Sequence, residues 1–410
     1  VFYKLSSAQH LPLEPARETV AFCLSEAIWP GLMTPTFLLE ISGVVRRVQQ
    51  SKPELIYRVA QASLEVKGLT FHDLLLIQET LEDLLSPQGS KLTLAQREQL
   101  WSSEFIDKGL ELCKQNEWTS LTDEAFADKI EPSLVRYFGV DVGSSIKEHR
   151  TSQPEWKRNC LFLSYLLDTF PLLVGRGDLQ KSLALLNYFL KGKELFSSLS
   201  LQEMLEEIAS LTDKINLEQF TAHILRIAIT RPTDEKPDNL ISVVKMNEQG
   251  RIGSIELVII DGDAILGHTF SLKPDDRSVY CGVKSILLLL KKCMDAPCNS
   301  QVLRKFIQTD PRIALFDVAV TLQIKNQSIH SVLKRGVFSK ERTGSSEETM
   351  QPFDFPVTLP RNALSMLLSD WQRLRARCAR AGRPRRRGRR SRVPTRPRRR
   401  SGRRACPARC

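Results

Sequence analysis

Leu74, Ile77, Leu81 and Leu84 recur at intervals of three and four residues, behind a Thr70/Asp73 pair that suits a helix cap. That spacing lays one apolar stripe along a helix, and Ser86, Pro87 and Gly89 stop it. Much of the N-terminal half repeats the arrangement. After the turn at Pro30 and Gly31, one helix is expected from Pro35 to about Gln49. A second is expected from Ser51 and Pro53 to about Val66, with Gly68 as its stop. Thr93 with Gln96 forms a capping box for a helix that breaks near Ser102 and runs on towards Cys113. Another lies between Asp123 and Phe138, split at Pro132.

The most regular stripe is Trp156, Cys160, Leu163, Leu167 and Phe170, after Pro154. A loop from Pro171 to Asp178 follows, and Asp178 caps a helix carrying Leu179, Leu183, Leu186 and Leu190. Ser200 with Glu203 makes a second capping box before Leu201, Leu205 and Ile208, and Asn216 caps a helix with Leu217, Phe220, Ile224 and Ile227. Antiparallel helices joined by short loops must bury their stripes on one another. About ten helices exceed a simple bundle. The fold class expected is therefore mainly α, an irregular helical-repeat stack over residues 1–230. HEAT and armadillo proteins are its architectural analogy, since no regular internal period aligns.

The pattern changes at 231–239, where two prolines and several charges read as a linker. Leu240 to Met246, Ile252 to Ile260 and Ala264 to Leu272 are rich in Ile, Val and Leu. They are separated by Asn247 to Gly250 and by Asp261-Gly262-Asp263, so a small antiparallel β meander is expected near 240–272. Helices resume at Val279 to Met294, Ser300 to Gln308 and from Asp310-Pro311 to about Ile324, which completes a region spanning 240–335. Residues 336–358 read as an exposed linker, 359–379 as a terminal helix with Leu364, Leu367, Leu368 and Trp371, and 380–410 as a disordered Arg-rich tail.

Charge sharpens this division. The 410 residues hold 59 basic and 47 acidic side chains, a net charge of +12. From Trp371 to Cys410 there are 18 arginines, no lysine and no acidic residue, so the first 370 residues carry a net charge of −6. Basic binding therefore belongs to one terminal segment and not to the folded surface. The longest aliphatic run, Ile286 to Leu290, is far short of the roughly 18 to 20 residues of a membrane-spanning helix. Nine singly scattered cysteines and the lack of an apolar leader point to reduced thiols in an intracellular protein. Val1 rather than methionine opens the sequence, as in a piece of a longer chain.

Little in the chain points to chemistry. Asp261 and Asp263 at a strand end could hold a divalent cation, with His268 a few residues on, although Asp-Gly is equally a hairpin turn. An enzyme built around Asp261, Asp263 and His268 is the alternative reading. Cys281, Cys293 and Cys298 lack a fourth ligand at zinc-site spacing, and the six histidines fall in no catalytic motif. No cofactor or metal is expected.

Arg385, Arg386, Arg387, Arg389, Arg390, Arg398, Arg399 and Arg400 suit a nuclear-import signal or nonspecific contact with RNA or DNA phosphates. An alternative exon or reading frame rich in G and C would give the same composition. Phe353 and Phe355 are candidate partner-docking residues. The function expected is a non-catalytic scaffold or adaptor that binds other proteins of a multi-subunit complex, in the nucleus or alternatively the cytoplasm, without membrane attachment.

Overall fold

The structure is a computed structural model that describes residues 2–5, 14–45, 54–114, 118, 120–140, 142, 146, 155–173, 178–262, 265, 283–334 and 363–381. Over these residues the chain is mainly helical, with two small antiparallel sheets. It opens with β1 (Phe2–Leu5), α1 (Glu14–Ile28), β2 (Thr36–Val45), β3 (Glu54–Ser63) and β4 (Leu69–Thr70). Helices α2 (Phe71–Leu85), α3 (Leu94–Trp101), α4 (Ser103–Cys113), α5 (Asp123–Phe138), α6 (Trp156–Thr169) and α7 (Leu179–Leu195) follow. Next come α8 (Leu201–Ala209), α9 (Leu217–Thr230), β5 (Leu240–Met246) and β6 (Ile252–Ile259). The last four are α10 (Lys291–Asp295), α11 (Ser300–Gln308), α12 (Pro311–Lys334) and α13 (Ala363–Ala381).

Local side-chain chemistry sets most helix starts. Thr70 accepts a hydrogen bond from the Asp73 N–H, and Thr93/Gln96 and Ser200/Glu203 form complete capping boxes. Ser102 ends α3 and caps α4. Asp178, Asn216 and Asn299 each accept from N–H groups in the first turn of the following helix.

The largest departure from the helical reading is at 35–66. The two expected helices are instead strands β2 and β3, paired antiparallel from Thr36 opposite Ser63 to Val45 opposite Glu54. β1 lies on the other edge of β3. Ile41, Val44, Val45, Ile56, Tyr57 and Val59 are β-branched or aromatic, and a near-continuous apolar run satisfies the helical spacing and the strand spacing alike. Pro132 does not split α5, which runs unbroken from Asp123 to Phe138. Phe126, Ala127, Ile130 and Leu134 are buried on both sides of the proline, and their packing outweighs one missing hydrogen bond.

In the second sheet β5 and β6 stand where the alternation puts them, but the third strand is β4, giving the order β4-β5-β6. Of the expected strand 264–272, only residue 265 lies within the described residues. The helix expected over 279–294 is reduced to a 3-10 turn at Ile286–Leu289 and the short α10. Its preceding backbone is engaged elsewhere. The Lys284 N–H donates to the Pro232 carbonyl at 2.8 Å, Glu235 N–H to Lys284 at 3.1 Å, and Ile286 N–H to Glu235 at 2.9 Å. Residues 231–239, expected as a linker, are thus packed into the body, with Glu235 buried.

One core joins elements from both halves of the sequence. α2 packs on α7, α4 on α6, and α1 on both α9 and α12. Trp156 is buried with its ring edge-on to Phe126, centroids 4.9 Å apart. The extended segment at Met33 pairs with Ile259 of β6, ordering the chain after α1 against the second sheet.

Candidate functional site

Gly262 follows β6 and packs on α1. A Cβ at Gly262 would lie 2.5 Å from Met33 Cε and 3.2 Å from Ala21 Cβ, so glycine is needed here for close approach to the Met33 side chain and to α1. Asp263 and His268 lie outside the described residues, as do Cys281, Phe353, Phe355 and the whole arginine set from Arg385 to Arg400. Among the described residues no three His, Cys, Asp or Glu side chains are grouped to hold a metal ion.

The buried polar groups are held in the core. His223 on α9 is fully buried, with Nε2 2.7 Å from the Leu257 carbonyl oxygen of β6. Burial, and then the neighbouring Arg226 charge, push its pKa down to about 3, so it is neutral at physiological pH. Arg226 is ion-paired with Glu235, both buried. This cluster ties α9 to β6 and to the 231–239 segment.

A cleft of about 140 Å³ opens between α6 and α7, lined by Trp156, Asn159, Cys160, Leu183, Asn187 and Tyr188 among others. Its polar groups are amides and a phenol. Burial pushes the Cys160 thiol up to about 12, which removes it as a nucleophile. A second recess, about 40 Å³, is lined mainly by leucines and Phe189 and is a packing gap.

The surface is more informative than the clefts. On α12, Ala314, Leu315, Val318 and Leu322 are buried. Ile313, Phe316 and Ile324 are 64%, 67% and 57% exposed, and Val320 between them is half-buried. At 100° per residue these four fall in one stripe on the side of α12 opposite the buried one. The helix therefore carries two apolar faces, of which one has a partner in the core.

α13 is amphipathic in another way. Leu367 and Trp371 are buried while Arg373, Arg377 and Arg380 are exposed along one edge, immediately before the Arg-rich sequence. Asp370 anchors the helix through an ion pair with Arg231 at the end of α9.

The sequence reading did not identify the α12 stripe. The signal was present: a helix apolar on two sides has more hydrophobic positions than one core can cover. Comparison of the chain with family models, with curated proteins and with solved structures finds no match.

Proposed function

We propose that the protein is a non-catalytic helical scaffold that binds partner proteins within a nuclear or cytoplasmic complex. The observation that carries this reading is the stripe of exposed Ile313, Phe316 and Ile324 with half-buried Val320 between them, because an apolar stripe left in water on a well-packed helix is an association surface. In this reading the helices form an irregular stack of the HEAT or armadillo kind, with α12 presenting the docking face. The Arg-rich sequence after α13 supplies import or salt-dependent contact with RNA or DNA. Its lack of aromatic residues favours nonspecific contact over sequence-specific recognition.

The test is affinity purification of the tagged chain lacking 380–410, compared with the same chain carrying Ile313→Asp and Phe316→Asp. The expected result is a defined set of co-purifying proteins that the double variant loses while its thermal unfolding stays unchanged. An identical set from both chains would overturn the reading. For the Arg-rich sequence, removal of 380–410 is expected to shift the tagged protein out of the nucleus and abolish salt-sensitive nucleic-acid retention.

A further inference from the structure

Two of the cysteines stand at matching registers of neighbouring helices although eighty residues separate them in sequence. α11 and α13 pack together with the Phe306 and Trp371 rings stacked, centroids 5.5 Å apart and planes 5° from parallel. Cys298 lies just before α11, eight residues ahead of Phe306, and Cys378 lies two turns beyond Trp371 on the same face of α13. These are nearly equal offsets on opposite sides of the ring stack, the register at which an antiparallel crossing brings two residues face to face.

α9 gives an independent ruler. The Asn299 N–H donates to Thr221 Oγ1 at 3.0 Å, which holds the Cys298 end of α11 at the start of α9. Asp370 pairs with Arg231 at its other end. From Thr221 to Arg231 a helix rises about 15 Å, and from Asp370 to Cys378 about 12 Å. The lengths match when α13 runs back along α9, which sets Cys378 beside Cys298. The charge of the Cys298 sulfur acts on Cys378 accordingly.

We propose that Cys298 and Cys378 form a dithiol that a low-molecular-weight disulfide such as oxidised glutathione converts to an intrachain disulfide, stapling α13 to the body. Cys298 is exposed and meets the reagent first. Its thiolate attacks one glutathione sulfur, the glutathione S–S bond breaks, and one glutathione thiolate leaves. The Cys378 thiolate then attacks the Cys298 sulfur, the protein disulfide forms, and the second glutathione leaves. The two protein thiols lose two electrons and two protons, and the reagent is reduced to two thiols.

The order of steps suits the site. Burial, and then the charge on Cys298, raise the pKa of Cys378. The other described cysteines are poorer candidates. Cys113, Cys160 and Cys293 are buried, and burial raises the pKa of each and of the partly buried Cys23.

The experiment incubates the full chain with oxidised glutathione and maps cross-linked peptides by mass spectrometry, alongside Cys293→Ser, Cys298→Ser and Cys378→Ser. The expected product is a peptide linking 298 to 378, present in the wild type and in Cys293→Ser and absent from the other two. Its formation should raise the melting temperature by several degrees, reversed by dithiothreitol, with no such rise in Cys298→Ser. Dibromobimane, which fluoresces on bridging two neighbouring thiols, should label the untreated wild type and not Cys298→Ser. Glutathione left on Cys298 as an unresolved mixed disulfide, or linkage of Cys378 to Cys406 or Cys410 instead, would overturn the proposal.

Discussion

Trp371 stacks on Phe306 almost in parallel, and this pair fastens the last described helix to the body. Trp371 is fully buried, yet its Nε1 has no hydrogen-bond partner among the described residues. The residue is therefore held by its apolar ring area and contacts, at the cost of one unpaired donor. Trp371→Ala is expected to destabilise the protein by about 3 to 5 kcal/mol. Trp371→Phe keeps a stacked ring and removes the orphaned N–H, so its cost should be much smaller. Urea unfolding of the two variants checks this, and equal losses would mean that ring stacking is not what holds α13.

His223 gives a pH signature. Its folded pKa of about 3 lies below the 6.5 of an ordinary histidine, because burial and the Arg226 charge oppose protonation. The unfolded chain therefore binds the extra proton between these values, and stability rises with pH across that window. The contribution is fully present above about pH 6.5 and is lost as pH falls through the window towards 3, with a slope near 1.4 kcal/mol per pH unit. His223→Gln retains an amide donor for the Leu257 carbonyl and should remove this one-proton slope from a series of unfolding curves between pH 4 and 7.

Arg226 and Glu235 are a buried ion pair, each with one further side-chain atom that has no partner among the described residues: Nε of Arg226 and Oε2 of Glu235. Removing one partner strands the other charge, so Glu235→Leu should cost about 3 to 5 kcal/mol. The double variant Arg226→Met with Glu235→Leu should recover most of that loss, because no charge is then left buried. A double-mutant cycle measured by denaturant unfolding separates the two cases. Additive losses would show that the pair is not coupled.

Gly109 sits where α4 meets α6. A Cβ there would lie 2.6 Å from Phe162 Cε2 and 2.9 Å from Tyr165 Cδ1, both on ring atoms with Phe105 packed behind them. Gly109→Ala gains helix propensity but forces the two helices apart. The expected net result is a loss of about 1 to 3 kcal/mol, read as a lower melting temperature. A gain in stability would show that the α4–α6 contact yields easily.

Local chemistry made the start of α2, the α3–α4 break at Ser102, helices α6 to α9, and strands β5 and β6 legible in the sequence. A capping hydroxyl acts three residues away and an apolar stripe repeats within one turn, so neither needs the rest of the chain. The charge separation between the body and its Arg-rich end is equally a property of sequence alone. Of the candidate site residues, only Asp261 falls within the described residues, and the exposed apolar stripe lies on α12 instead.

What the sequence by itself could not decide depended on which surfaces meet. Residues 36–63 satisfy two periodicities, and pairing across β2 and β3 chose the strand. Residues 231–239 look polar, but Arg226 and the backbone at 284–286 fasten them to the body, with Pro232, Glu235 and Asn239 buried. α12 shows two apolar sides in sequence, and only packing against α1 and α13 determined which one remained in water. The matching registers of Cys298 and Cys378 follow from the crossing of α11, α13 and α9. In each case the outcome depends on which segment pairs or packs with which, a choice that the periodicity of a single segment does not encode.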